Sequence, residues 1–342
     1  MRAARLRMVW GRGWVWVAVS VGLIIALLWM VDVAAVVSAL STADPWWVIL
    51  LLCAVYGERV YSAFRWHQVL RWSELSVPLP VVVRISFISS FAGLFLPGVV
   101  GTEALRVAGL RHNASLSQAL SSVLVDRLIA VVTLVPLVLI GVALVPGNLP
   151  ESIRATAWGV QGLVVMMVWL MLAQWPRRVV EVLSPSGLWR VVQPRLDRLY
   201  EALDVYWRRP WMLAWGLVLG VGFQVMRVIV VWASARAVGI EAAPVYFFIF
   251  APIIAFVSMA PVSFAGIGIR DMSYVYLFAL IGIAAEKAFA ASILVQFTGF
   301  LSCLPGGILY ARGDRARAEQ GENLNESRQV EQAQERRLCA HS

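Results

Sequence analysis

The stretch Ser90–His112, SFAGLFLPGVVGTEALRVAGLRH, opens as a membrane-grade apolar run, breaks at Leu96-Pro97-Gly98, and soon afterwards carries Glu103 and Arg106. Proline has no amide hydrogen to donate and glycine weakens a helix, so the break is local and deliberate. A charged side chain at the centre of a spanning helix costs roughly 2.5 to 3.5 kcal/mol on insertion scales. A chain that keeps such residues inside an apolar run must give them polar company. This stretch therefore decides between a plain bundle of spans and a bundle with a broken segment beside a polar cavity.

Composition establishes the bilayer. Hydrophobic residues make up 60% of the 342 and charged residues 14%, with a mean hydropathy of +0.76. An ordinary soluble domain is about 45–50% apolar and about 25% charged. The formal net charge of +9 comes from basic residues that flank the apolar runs and form no aromatic-interleaved patch. They fit loops beside an anionic leaflet, and no nucleic-acid partner is expected. Cys53, Cys303 and Cys339 are too scattered for a disulfide framework, and no CxxC pair occurs. His67, His112 and His341 have no ligand-like spacing, and the GxSxG, Walker and HExxH patterns are absent from the sequence. No catalytic residue, metal or cofactor is expected.

A spanning helix needs about 20 mainly apolar residues. That criterion gives eight candidate spans, Trp14–Val37, Pro45–Phe64, Leu128–Val145, Ala157–Trp175, Trp211–Ala235, Pro244–Met259, Met272–Ala284 and Ala288–Tyr310, in an all-α bundle. The first is read as a retained helix rather than a cleaved leader, because its apolar run is long and no small-x-small site precedes the loop. Arginines set the orientation: Arg2, Arg5, Arg7 and Arg12 precede the first run, the loop Ser38–Asp44 has none, and Arg65, Arg71 and Arg84 follow the second run. The linker Pro176–Pro210 holds seven arginines. Both termini and this linker are expected in the cytoplasm. Parity holds if Val81–Gly98 dips in and returns. Non-helical backbone at that depth must be buried in protein or line a water-filled cavity. Leu196, Leu199, Leu203 and Tyr206 predict an interfacial amphipathic helix in the linker. Residues 1–311 read as one membrane domain and residues 312–342 as a polar cytoplasmic tail. Trp46, Trp47, Trp66, Trp72, Trp207 and Trp211 read as interface belts.

The break recurs. In Met259–Phe278, MAPVSFAGIGIRDMSYVYLF, Pro261 is followed by Gly266, Gly268 and Arg270, as Pro97 is followed by Gly98, Gly101 and Arg106. Paired interruptions of this kind in two halves of a membrane protein point to a transporter's binding site. Glu58-Arg59, Asp126-Arg127 and Arg270-Asp271 are adjacent pairs of opposite sign. Neighbours on a helix point about 100° apart, so each member needs a partner from another segment. Glu103 and Arg106 are three apart and share a face. The expected site gathers Glu103, Arg106, Asp126, Arg127, Arg270 and Asp271 around the breaks, whereas Glu58, Arg59 and Arg227 are read as charges that bind helices together.

FLPGVVGTEALR, ALSSVLVDRL and APVSFAGIGIRD, in that order, with FRWHQVL at Phe64–Leu70, resemble the motifs of the lysylphosphatidylglycerol synthase transmembrane-region family, flippase-like membrane proteins. The resemblance runs to about Tyr310. Gly101-Thr102-Glu103 stands where GGD is common and Arg270-Asp271 where Arg-Glu is common; both keep the carboxylate. The resemblance implies a bacterial inner-membrane protein that handles a lipid with an anionic or amino-acylated headgroup, a phospholipid or an isoprenoid-linked lipid. It also implies a stand-alone member, without the aminoacyltransferase domain of the namesake synthases. Two readings follow. In the first, Arg106 and Arg270 hold a headgroup phosphate in a transporter. In the second, the chain is an intramembrane enzyme, or an accessory subunit partnered with an enzyme of lipid-linked glycan or envelope-lipid synthesis, in which Glu103, Asp126 or Asp271 acts as acid or base.

Overall fold

The structure is a computed structural model that describes residues 25, 29, 32–94, 98–111, 113–144, 150–172, 201, 210–259 and 267–312. Most of the first expected span, the linker helix and the tail lie outside these residues, as do Pro97, Pro261, Ser263 and Gly266. The described residues form an all-helical bundle, as the composition requires.

Two units follow a short leading helix, α1 (Val33–Ser41). In the first, the long helix α2 (Pro45–Trp72) is followed by the short helices α3 (Leu79–Gly93) and α4 (Gly98–Gly109). A second long apolar helix, Leu116–Leu144, closes the unit; it consists of α5 (Leu116–Val132) and α6 (Leu134–Leu144). After α7 (Glu151–Leu172) the order repeats. The long helix α8 (Pro210–Ala237) precedes the short α9 (Pro244–Met259) and α10 (Ile269–Ala279). Then comes α11 (Ala285–Leu301), within an apolar helical stretch that reaches Arg312.

Local chemistry sets these boundaries. Asp44 caps α2 by accepting from the Trp46 amide at 2.9 Å, with Pro45 at the first helical position, where its missing N–H costs nothing. Ser115 and Gln118 form a capping box at the start of α5. Gly268 takes φ +88° ahead of α10, a conformation that only glycine adopts without strain. Asp271 then reaches back to accept from the Gly268 amide at 2.8 Å.

The units run in opposite senses. At one end the Asp44 amide donates to the Ala237 carbonyl at 2.9 Å and Trp47 meets Trp232 edge-on at 5.0 Å. At the other end Gly216 of α8 lies against the Trp72 ring. Helices α2 and α8 are thus antiparallel partners. The short helices pair as hairpins. Gly93 faces Thr102 and Gly109 faces Ile85, so α3 and α4 fold back on one another. Phe247 and Phe250 of α9 both contact Phe278 of α10, at 6.0 and 5.4 Å between centroids. The first hairpin starts and ends at the Trp72 end of the bundle, and the second at the Asp44 end.

This arrangement changes the reading of Pro244–Met259 and Met272–Ala284, which the sequence presents as two spans. They belong to the two arms of one hairpin. With 16 residues in α9 and 11 in α10, at 1.5 Å per residue the arms are only about 24 and 17 Å long, against about 30 Å of hydrocarbon. Pro244–Met259 is apolar enough to span, but hydropathy does not register where a chain turns back. By length and composition the clear spans are Pro45–Trp72, Leu116–Leu144, Trp211–Ala237 and Ala285–Arg312.

Each hairpin leans on a glycine of the opposite unit's closing helix. A Cβ at Gly306 would overlap the Phe87 carbonyl of α3, and one at Gly141 would meet Ile249 of α9. The tryptophans divide. Trp46 is 71% exposed and Trp211 64%, as a belt requires, but Trp66 and Trp72 are core residues at 0% and 5%. The Gly306 contact is testable. Gly306→Ala is expected to cost about 1–3 kcal/mol by overpacking against backbone, read as a lower thermal transition in detergent. Gly159→Ala, whose Cβ would meet nothing within 4 Å, is expected to be neutral or slightly stabilising.

Candidate functional site

A cavity of about 440 Å³ lies where the described ends of the two hairpins reach the long helices, with Gly93 and Leu94 of the first and Ser258 and Met259 of the second in its wall. Four long helices form its wall, and each contributes from its middle: Glu58, Arg59, Ser62 and Arg65 from α2, Asp126 and Arg127 from α5, Gln224 and Arg227 from α8, Gly299 and Cys303 from the α11 stretch. Thr102, Glu103 and Arg106 enter from the first hairpin, and Ser258, Met259 and Arg270 from the second. Arg106 and Arg270, assigned to separate breaks by the sequence, therefore face one space.

Asp126 is the anchor, 1% exposed. One carboxylate oxygen accepts from Arg65 Nε at 2.7 Å and the other from Arg106 Nη1 at 3.3 Å. Arg106 also lies 3.5 Å from Glu103, donates to Ser62 Oγ at 3.4 Å, and sits over the Trp66 ring at 4.9 Å. Arg127 pairs with Glu103. Arg227 Nε donates to Glu58 at 2.8 Å. Each adjacent pair in the sequence is thus split between different neighbours. Among the described lining residues six arginines stand against three carboxylates, an excess of three positive charges.

Several polar atoms in this wall are buried without a partner: Arg65 Nη1, the Nε atoms of Arg106, Arg127 and Arg270, Ser86 Oγ and Gln224 Oε1. A buried donor left unpaired costs about 1–3 kcal/mol, more when charged. Glu103 Oε2, an acceptor in the same wall, is buried without a hydrogen bond as well.

The expected residues separate on placement. Glu103, Arg106, Asp126, Arg127 and Arg270 line the cavity. Asp271 is buried behind it, caps α10 through Gly268 and accepts from Ser292 Oγ. Asp271 thus holds the start of α10 and stands outside the cavity lining. Gly98 and Gly101 lie in the first turn of α4 and Gly268 precedes α10, so they shape the tips. Glu58, Arg59 and Arg227, expected to tie helices together, face the same cavity, and Arg65, expected as a loop-flanking charge, is 2% exposed. The signal was present: Glu58, Ser62 and Arg65 recur at spacings of four and three, one face of α2.

The Asp126 node yields a stability prediction. Asp126→Ala strands Arg65 and Arg106 and is expected to cost about 3–5 kcal/mol, as when one partner of a buried pair is removed. The check is the thermal transition and monodispersity of detergent-extracted protein. Arg154→Ala, which breaks the exposed pair with Glu151, is expected to leave both unchanged.

No curated protein matches the chain at a significant level. Residues 14–307 match the family model described as the lysylphosphatidylglycerol synthase TM region. With the hairpins and the cationic cavity both inside the matched range, the chain belongs to the lysylphosphatidylglycerol synthase TM-region family, as a multi-pass membrane protein of that lipid-related group.

Proposed function

We propose that the protein is a flippase-like transporter that carries the headgroup of an anionic lipid between leaflets while the acyl or isoprenoid chains stay in the bilayer. The observation that carries this reading is the uncompensated cationic cavity at the middle of four long helices, lined by residues of both hairpins. Guanidinium forks match phosphate oxygens and form charge-assisted hydrogen bonds about twice as strong as neutral ones. The unpaired Nε donors supply part of that fork. Discontinuous helices of opposite sense around a midplane site suit alternating access, because each hairpin can close the cavity toward its own end.

The enzyme reading needs a carboxylate free to take or give a proton. All three in the cavity are engaged by arginine, Glu58 with Arg227, Glu103 with Arg127 and Asp126 with Arg65. Transport is the reading that this arrangement favours.

Orientation follows the arginines. Arg71, Arg84 and Arg111 cluster near the Trp72 end, and the seven-arginine linker enters α8 there. That end is assigned to the cytoplasm of a bacterial inner membrane. Single cysteines at Thr42, Glu241 and Gly282 are expected to label only from the periplasmic side, and cysteines at Glu74 and Asn113 only from the cytoplasmic side. Labelling of position 282 together with position 74 would contradict the opposed hairpins.

The transport test is a leaflet-resolved lipid assay in proteoliposomes. Arg106→Lys and Arg270→Lys keep the charge but lose the planar fork, and each is expected to slow lipid movement at least about tenfold while the protein stays monodisperse. Arg154→Lys is the surface control. Full activity in both cavity variants would remove the headgroup assignment.

A further inference from the structure

Within the headgroup reading above, the cavity's charges are not equivalent. Four of the six arginines have carboxylates: Arg65 and Arg106 share Asp126, Arg106 and Arg127 share Glu103, and Arg227 holds Glu58. Among the described residues, Arg59 and Arg270 have no carboxylate within ion-pair distance. Both are held instead by neutral groups of one long helix. Arg59 donates from Nη2 to the Gly299 carbonyl at 3.1 Å and from Nε to Ser302 Oγ. Arg270 donates from Nη2 to Gln296 Oε1, and its Nε is buried with no partner.

Gln296, Gly299 and Cys303 follow the three-then-four spacing of a helix face. Gln296 and Gly299 are separated along the axis by about 4.5 Å, at 1.5 Å per residue. An amide oxygen and a backbone carbonyl can position a guanidinium but cannot neutralise it. The helix therefore presents two oriented cations toward one cavity, one from α2 and one from the second hairpin. The remaining carboxylates are already outnumbered by their own arginines.

We infer that Arg59 and Arg270 form the anion seat, and that it selects lipids whose headgroup ends in a phosphoryl group with two or more negative charges, a phosphomonoester or diphosphate, over lipids with a single phosphodiester charge. A phosphodiester would leave two of the three excess charges unanswered. A terminal phosphomonoester carries about −1.5 to −2 near neutral pH and offers three acceptor oxygens, and a diphosphate carries more. Terminal phosphoryl oxygens can also face two forks at once, whereas a diester spends two oxygens on its ester links. Arg59, read from the sequence as a charge that binds helices, becomes a specificity-determining residue.

The test measures binding to the full chain in detergent with four probes: farnesyl diphosphate, farnesyl phosphate, dihexanoylphosphatidylglycerol and inorganic pyrophosphate. The two farnesyl probes are expected to bind at least about tenfold more tightly than the phosphatidylglycerol, the size of one charge-assisted contact. Arg59→Gln and Arg270→Gln, which remove the charge but keep an amide donor on a shorter side chain, are each expected to abolish that preference while the protein remains monodisperse. Should one variant aggregate, the other carries the comparison. Phosphatidylglycerol binding as tightly as the farnesyl probes would overturn the selectivity and leave the anionic-lipid reading standing. Pyrophosphate binding as tightly as farnesyl diphosphate would overturn the lipid source in favour of a free anion. Failure of all four to bind would overturn both this inference and the headgroup reading.

Discussion

The depth of the first hairpin is set by one buried carboxylate. Asp126 holds Arg65 of α2 with one oxygen and Arg106 of α4 with the other, so three elements converge on a group that is 1% exposed. Charge this deep is tolerated only when paired. A hairpin displaced by one turn, about 5.4 Å, would leave Asp126 and Arg106 mismatched in a medium that cannot solvate either. The ion pair thus works as a register device. It fixes where the tip lies and therefore where the cavity can be. Trp66, whose indole N–H donates to Ser122 at 3.3 Å, backs this node and carries the Arg106 guanidinium on its face.

The second hairpin has the same frame with different electrostatics. Its carboxylate, Asp271, is spent on the backbone of its own tip and on Ser292, and its arginine is left to an amide side chain. One arginine of the matched pair is neutralised by protein and the other is only oriented. That difference is hard to explain as packing, since a structural arginine would gain most from a carboxylate. It is intelligible if the missing charge arrives with a ligand.

Much of this was legible in the sequence. Composition required a helical bundle, the Pro/Gly interruptions separate α3 from α4 and α9 from α10, and the adjacent opposite charges implied partners on other segments. What was not legible has definite causes. The arms of the second hairpin look like spans because an apolar helix facing protein and one facing lipid have the same hydropathy. Trp66 and Trp72 end a span, where belts normally lie, yet the first hairpin covers Trp66 and α5 and α8 cover Trp72; nothing local signals that cover. Arg65 sits where a loop-flanking charge would, and only its three- and four-residue spacing to Glu58 and Ser62 shows that it turns inward. Asp271 was taken for a site residue because it adjoins Arg270, but one helical step of about 100° separates a cavity wall from a helix cap.

The opposed sense of the two units carries a mechanical consequence. The described helices of each hairpin are shorter than the roughly 30 Å of hydrocarbon. Each hairpin's first arm rests on a glycine of the other unit, Phe87 on Gly306 and Ile249 on Gly141. These contacts are close-packed but bear no charge, whereas Arg106 of the first hairpin is held by Glu103 and Asp126 and Arg270 of the second by the Gln296 amide. Sliding at a glycine contact loses only dispersion and buried area, while moving α4 away from α5 breaks the charge-assisted bonds of Arg106 with Asp126 and of Arg127 with Glu103. The two hairpins are thus held unequally, the first by ion pairs to α5 and the second by packing and hydrogen bonds to neutral groups, so displacing the second costs less charge separation.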